Sequence, residues 1–311
     1  MIRYLAFRIG SIIPVLFGMS ILVFLILHLI PGDPAQAILL GVGSTADDVQ
    51  MMRELLGLED PLWEQYFRYL GGLVQGDLGT SFLYNQPVAE KVVGLIPDTL
   101  ILTACALGFA LMVGIPTGVS AAIWHNRPVD RIAMGISAIG IALPAFWLAV
   151  LLTRYFSVKL GWFPSLGTGS IKALVLPVVS LGWPLSSILS RLIRESLIEV
   201  RRSPYVISAR SRGYSGIRIL VRHSIRKAAG PVVSMIGLQF GGVIAGAVAI
   251  EFIFGRPGLG SYLVESMTAK DIPAVQGIIM TIGAVYLLTN LIVDLVRAGL
   301  EPSVRDEWAN R

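Results

Sequence analysis

The sequence has few of the residues that build disulfide scaffolds and metal sites. Among its 311 residues there is one cysteine, Cys105, and there are three histidines, His28, His125 and His223. A single cysteine excludes a disulfide framework and a thiolate metal site, and the histidines lie too far apart in the chain to form ligand-spaced pairs. Charged residues are also scarce, at 14% of the chain, whereas an average soluble domain has about 25%. An ordinary soluble domain is therefore excluded as well.

Motifs for covalent chemistry are missing too. The sequence contains no G-x-x-x-x-G-K-S/T string, so it has no phosphate loop with which to bind ATP. An intramembrane enzyme would need a nucleophile–base pair or a metal cluster at membrane depth, and an ion channel would need a filter or a ring of charge. Neither pattern is present. We therefore expect a non-catalytic chain that binds no cofactor itself.

What the sequence does contain is long apolar runs. Hydrophobic residues make up 54% of the chain, and the mean hydropathy is +0.72. Six runs have about the 20 apolar residues that are needed to cross a hydrocarbon core of about 30 Å. They cover 9–30, 99–123, 132–156, 171–192, 231–253 and 275–297. Pro177 and Pro184 interrupt the fourth run, so neighbouring helices must cover the freed carbonyls and the spans should form a bundle. We predict an all-α membrane protein with six spans.

The charges of the loops predict an orientation. Segment 32–98 has ten acidic and three basic residues, whereas 191–230 has ten basic and two acidic residues. The positive-inside rule then places 125–131, 191–230 and both termini in the cytoplasm, and 32–98, 157–170 and 254–274 outside. Attraction to lipid headgroups explains the basic charge of the inner segments, so we expect no nucleic-acid partner. Within the outer segment, apolar spacing predicts an amphipathic helix from Pro61 to Val74, which would form a small cap.

The basic segment 203–231 lies between the fourth and fifth spans and is patterned as two short helices. Ser203 and Pro204 are typical of a helix start, with a hydroxyl cap and a proline at the first helical position. Gly213 is typical of a helix end, and Ser215 can start the second helix. That helix would place basic residues on one face at a spacing of four, namely Arg218, Arg222 and Arg226. Pro231 then restarts the chain as it returns to the membrane. We interpret the segment as a docking element.

The fifth predicted span carries small residues and one acid. The small residues are Gly237, Gly241, Gly242, Ala245, Gly246 and Ala249. Their spacing favours close helix packing, and it is also compatible with a face that lines a pathway. Glu251, near the outer end, needs water or a partner because an ionised carboxylate in an apolar run costs free energy. A structural ion pair with Arg256 or Arg154 and a role at an outer gate both remain open.

Several strings, in this order along the chain, resemble those of the dipeptide/oligopeptide/nickel permease family of bacterial ABC importers. They are HLIPGDPA at 28–35, GLEDPLWEQYFRYL at 57–70, GDLGTSF at 76–82, NRPVDR at 126–131, LGWFP at 160–164, FGRPGLG at 254–260 and NLIVDL at 290–295. The basic segment is similar to the family's coupling loop, Y-V-x-T-A-R-A-K-G followed by a helix and a proline. The matching positions are Tyr205, Val206, Ser208, Ala209, Arg210, Arg212, Gly213 and Pro231. Ile207, Ser211 and Gly230 depart from the family pattern.

The resemblance implies a type I ABC importer arrangement of six transmembrane helices, in a multi-pass subunit of the bacterial inner membrane. It divides the chain into an N-terminus with the first helix (1–31), an extracytoplasmic helical cap (32–98) and a core of helices 2–6 (99–311) that includes the coupling loop 203–231. The implied partners are a second homologous permease, two cytoplasmic ATPases that hold ATP and Mg²⁺, and an extracytoplasmic substrate-binding protein. The implied substrate is a di- or oligopeptide, and nickel chelates, glutathione and opines remain alternatives.

The resemblance also assigns roles to particular residues. Ala209 is small and Gly213 allows a sharp turn, so the first coupling helix can approach the ATPase closely, as an amphipathic helix does in a groove. Arg210 and Arg212 can form charge-assisted hydrogen bonds with the partner. The small-residue face and the single acid of the fifth span, independently of the resemblance, give Glu251, Gly241 and Gly242 as candidates for the pathway or its gate.

Overall fold

The computed structural model describes residues 2–29, 33–39, 45–201, 203–212 and 225–300, and this part of the chain is almost entirely helical. The helices are α1 (Ile2–Leu29), α2 (Pro34–Leu39), α3 (Ala46–Leu55), α4 (Leu62–Val74), α5 (Val88–Ile123), α6 (Pro128–Ala142), α7 (Ala145–Leu152), α8 (Ile171–Arg201), α9 (Pro204–Ser211), α10 (Ile225–Ile253), α11 (Leu259–Thr268) and α12 (Ile272–Leu300). Extended pairing within the described residues is limited to one isolated antiparallel bridge between Thr80 and Pro87. The predicted all-α class is confirmed.

Five of the six predicted spans are continuous helices that are long and apolar enough to cross a membrane. Their apolar parts are Gly10–Leu29, Val88–Ile123, Ile171–Arg201, Val232–Ile253 and Ile272–Leu295. Pro177 and Pro184 lie inside α8 without breaking it. The prediction of six spans holds when the sixth is counted as a bent pair of helices.

The third predicted span, 132–156, is not one continuous helix. α6 and α7 meet at a bend of 101°, and α7 continues as a π-helix over Thr153–Lys159. Leu143 and Pro144 at the bend have extended backbone, with ψ values of 121° and 139°. A proline disfavours helical backbone at the residue before it and lacks the amide hydrogen that would continue the helix. Pro144 therefore ends α6, and the apolar run is divided at that point.

The described residues form two compact units, of which the first contains the described residues of 100–256 and 288–300. Its core surrounds α8, whose buried residues include Leu181, Leu185, Leu189 and Ile193. Glycines bring neighbouring backbones very close to this helix. A Cβ atom built on Gly118 of α5 would lie 2.5 Å from the carbonyl oxygen of Ser190. This unit is held by direct helix–helix contact that only small residues permit.

The second unit contains Ile2–Thr99 and Pro257–Leu287. Its core is formed by Val88, Val92, Leu259, Tyr262, Ala274 and Ile278. The helix that the sequence predicts from Pro61 to Val74 forms as α4, with Pro61 at its N-cap. Tyr66 of α4 shares a hydrogen bond of 3.0 Å with the hydroxyl of Ser20 in α1. The outward side of α4 exposes Trp63 and Phe67, at 65% and 62% of their surface.

A hydrogen-bonded turn after the bridge residue Thr80 organises the second unit. Asp271 accepts hydrogen bonds from the hydroxyl of Ser81 and from the amide of Leu83, at 2.5 and 3.1 Å. The hydroxyl of Tyr84 donates to a carboxylate oxygen of Glu265 at 2.8 Å. That hydrogen bond raises the pKa of Tyr84 to about 12, because losing the phenolic proton would place two negative charges side by side.

Candidate functional site

The first helix of the basic segment forms where the sequence predicts it. α9 begins at Pro204 and ends at Ser211. The hydroxyl of Ser203 was expected to cap this new helix. It instead donates to the carbonyl of Val200 at 2.7 Å, and the carbonyl of Ser203 accepts the amide of Val206 at 3.0 Å. Ser203 therefore closes the end of α8 and opens α9 with its backbone, so the two helices are joined by a tight corner.

α9 has one face that is buried in the chain and one that is open. Val206 is fully buried and packs against Val200 of α8. Ser208, Ser211 and Arg212 are exposed. The predicted contact residues Tyr205, Ala209 and Arg210 lie on the same helix. A short helix that is anchored through one side and open on the other has the form that groove docking requires.

Part of the predicted basic segment lies outside the described residues, and part belongs to α10. Gly213, Ser215 and the predicted stripe residues Arg218 and Arg222 lie outside the described residues. Pro231 was expected to restart the chain, but α10 already begins at Ile225. Pro231 is thus an interior residue of that helix. The apolar part of α10, Val232–Ile253, agrees with the predicted fifth span.

A buried ionic cluster, which the sequence analysis did not identify, lies at the turn between α5 and α6. Asp130 is 3% exposed. Arg194 of α8 donates to both its carboxylate oxygens, from Nε at 2.6 Å and from Nη2 at 2.8 Å. The amide of Asn126 donates at 2.9 Å. His125 Nδ1 lies 3.1 Å from Asp130 and 3.0 Å from Arg194 Nη2. We call Asp130, Arg194 and His125 the clamp.

The only sequence signal of the clamp was an acidic residue within the short basic turn NRPVDR. Its partner Arg194 is 64 positions away, and no local pattern links them. A second contact joins the same elements, because Arg201 Nη1 of α8 donates to the carbonyl of Ala122 in α5 at 2.7 Å. The end of α5 and the turn that follows it are therefore fastened to the last turns of α8.

The small residues of the fifth span have different surroundings along α10. Gly237 and Gly246 are packing positions, since a Cβ on them would lie 2.5 Å from Val293 and 2.8 Å from Leu181. Gly242 has nothing within 4 Å of such an atom and is exposed. The open face of α10 also carries Leu238, Ala245 and Phe252. Gly237 and Gly246 therefore fit close helix packing, whereas the open position of Gly242 is compatible with a face that lines a pathway. Gly241 is intermediate in exposure.

Glu251 lies on the buried side of α10. It is 1% exposed, and Arg256 is 5% exposed. The backbone carbonyl of Glu251 accepts the amide of Arg256 at 2.9 Å, which ends the helix. Arg154 lies in the π-helix and is exposed. The structure therefore buries Glu251 and Arg256 at the same helix end and leaves Arg154 at the surface of its unit.

The second unit contains a polar cavity beside the cap helix. Its volume is about 330 Å³, and its lining includes His28, Gln65, Arg68, Asp77 and Gln276. His28 Nε2 lies 3.2 Å from Gln65 Oε1. Among the described residues no group of three or more histidine, cysteine or acidic side chains is placed to hold a metal ion.

Comparison with known proteins gives a consistent result over the whole chain. Residues 114–306 match the family "Binding-protein-dependent transport system inner membrane component", and residues 1–103 match the N-terminal region described for such membrane components. Glutathione transport system permease protein GsiC of Escherichia coli (strain K12) is 39% identical over 305 residues, which cover 98% of this chain and 99% of that protein. The GsiC of Shigella flexneri serotype 5b (strain 8401) is 38% identical over the same shares.

Solved structures share the fold. A chain of the inward-facing MetNI methionine ABC transporter, in its CY5 native crystal form, superposes with a TM-score of 0.55 at 18% identity and covers 68% of this chain and 96% of that chain. The SeMet-soaked crystal form gives a TM-score of 0.56 at 17% identity, with the same shares covered.

Proposed function

Because the chain belongs to the family of binding-protein-dependent transport system inner membrane components, we propose a specific division of labour for its residues within an importer. The chain is a non-catalytic permease subunit of a peptide-type ABC importer, and ATP hydrolysis takes place in separate subunits. Our proposal concerns what it carries, what it contacts and which residues make the contacts.

The proposed substrate is a di- or oligopeptide, with glutathione as the second candidate. Glutathione is itself a small peptide, and the permeases that are 38–39% identical to this chain are named for its transport. Nickel chelates and opines are the further alternatives. Uptake of a labelled dipeptide into cells that express the complete transporter, with unlabelled dipeptide or glutathione as competitor, tests the proposal. Competition by neither compound contradicts both peptide candidates.

The proposed partners are a second homologous permease, two cytoplasmic ABC ATPases that bind ATP and Mg²⁺, and an extracytoplasmic binding protein. The open face of α10 supports a place for the second permease and the pathway, because Gly242 leaves room there for close approach. α9 supports the ATPase contact. The observation that carries this assignment is that one side of α9 is buried and the other is exposed. Val206 is buried, whereas Ser208, Ser211 and the following Arg212 are exposed. Ala209 and Gly213 are assigned to the docking surface with them.

For localisation we propose the bacterial inner membrane, with both termini in the cytoplasm. In a Cys105→Ser background, an impermeant thiol reagent added to intact cells should label a Gln75→Cys variant but not an Arg127→Cys variant. Both positions are exposed, and loop charge places the first outside and the second inside. Permeabilised cells should allow labelling of both. Labelling of position 127 in intact cells would overturn the orientation.

For Glu251 we propose a role at the outer gate. Glu251 is 1% exposed at the outer end of α10, and ionisable residues within transmembrane segments often mark substrate or ion pathways. The Glu251→Gln variant keeps the shape of the side chain and removes the charge. We expect it to lower uptake and to change the ATPase rate without substrate, at unchanged recovery of the complex. Wild-type values of both rates, together with a lower melting temperature, would instead assign Glu251 to stability alone.

A further inference from the structure

The clamp is more completely buried and bonded than the ion pairs of Arg53 with Asp33 and of Arg68 with Asp60. The exposed fractions of the two side chains are 4% for Asp130 and 19% for Arg194. By contrast, the pair of Arg68 and Asp60 exposes 55% and 36%. A surface pair of the second kind contributes little to stability. A buried pair held by two parallel hydrogen bonds has a defined geometry, because the guanidinium plane and the carboxylate plane must align.

The clamp joins the turn 124–130 to the helix that leads into α9. Arg194 lies about two turns before the end of α8, and Arg201, the last residue of α8, holds the carbonyl of Ala122. Immediately beyond it, Ser203 forms the corner and Val206 packs back on Val200. The contacts of Arg201 with Ala122, of Ser203 with Val200 and of Val206 with Val200 are all at least partly buried. A displacement of α9 has a continuous, stiff route to the ends of α5 and α6.

We propose that the clamp is the positioning device that couples α9 to the membrane helices. Asp130 and Arg194 hold the α5–α6 turn to α8, so that a motion of the docking helix moves α5, α6 and α8 together as one body. The inference rests on the proposed role of α9 as the ATPase contact. Rigid-body switching needs such fixed joints, since a loose joint would let the docking helix move while the pathway helices stay in place.

Breaking the clamp should uncouple ATP hydrolysis from transport. The experiment uses the complete transporter reconstituted in liposomes with its binding protein, and it measures the ATP hydrolysed per substrate molecule taken up. We expect the Asp130→Asn variant to retain its ATPases and their activity, while the ratio of ATP to substrate rises about tenfold, within the range known for residues that modulate coupling without touching a ligand. The Arg194→Lys variant keeps the charge but loses the two-pronged contact, and its ratio should rise as well.

The matched control is Arg68→Gln, which removes the exposed ion pair on the cap helix and should leave the ratio unchanged. A merely structural clamp gives a different outcome, because lower stability reduces the amount of assembled transporter while each assembled copy keeps the wild-type ratio. That result, in either clamp variant, would overturn the proposal. If Asp130→Asn does not assemble, Arg194→Lys decides the question.

The experiments distinguish a failure of the proposed role of the clamp from a failure of the proposed docking role of α9. If the Ala209→Trp variant described below transports normally, α9 is not the ATPase contact and the proposal loses its basis. If Ala209→Trp is defective while both clamp variants keep the wild-type ratio of ATP to substrate, α9 still docks the ATPase and only the clamp's role is wrong.

Discussion

The Ala209→Trp variant should reach the membrane at the wild-type level and lose substrate uptake. Ala209 lies on α9, which is open on the side of Ser208, Ser211 and Arg212. Tryptophan adds a whole indole ring in place of the alanine methyl group. If α9 packs closely against the ATPase, the two surfaces must separate to make room for that ring. We expect the ATPases to co-purify poorly, or to hydrolyse ATP without transport. Uptake and ATPase recovery in the complete transporter are the two measurements.

The matched control is Ala46→Trp, which makes the same substitution at an exposed alanine of α3, far along the chain from the docking helix. It should leave ATPase recovery unchanged, as expected for a surface position. Ala209→Ser should also behave as wild type because serine is nearly as small. Full uptake with normal ATPase recovery in Ala209→Trp would refute the docking assignment and favour a solvated basic loop.

The Gly118→Leu variant should be recovered in a much smaller amount and should melt at a lower temperature in detergent. A Cβ atom at position 118 would lie 2.5 Å from the carbonyl oxygen of Ser190 and 2.9 Å from Cβ of Ile193. Backbone cannot yield locally, so α5 and α8 must separate along this contact. Overpacking of a close-packed core typically costs about 1–3 kcal/mol, and here the loss of the neighbouring contacts adds to it. The expected effect is a large loss of stability.

Gly108→Leu provides the control on the same helix. Gly108 is exposed and has nothing within 4 Å of a built Cβ atom. Leucine is a better helix former than glycine, so this variant should be as stable as wild type or slightly more stable. Equal melting temperatures for Gly118→Leu and Gly108→Leu would show that the close approach of α5 to α8 does not hold the protein together.

Local and linear features were predictable from the sequence. Apolar runs of spanning length identified five of the membrane helices at nearly the observed places, because crossing a bilayer demands a minimum length of apolar helix. Pro204 marked the start of α9 and Pro61 that of α4, because a proline acts on the backbone next to it, although the hydroxyl of Ser203 does not cap α9. The same local knowledge was incomplete at Pro144, where a proline inside an apolar run proved to be a break of 101° rather than a tolerated kink.

The sequence by itself determined that this chain is a membrane-embedded helical protein with a basic segment between its fourth and fifth spans. Composition, the length of apolar runs and the distribution of charge can all be read from the order of residues along the chain. Only the tertiary structure decided which side chains act together. It paired Asp130 with Arg194 across 64 positions, turned Ser203 back to α8, buried Glu251, packed Gly237 against Val293 and left Gly242 open. These outcomes depend on which helices pack against each other, because burial and hydrogen bonding are set by neighbours in space.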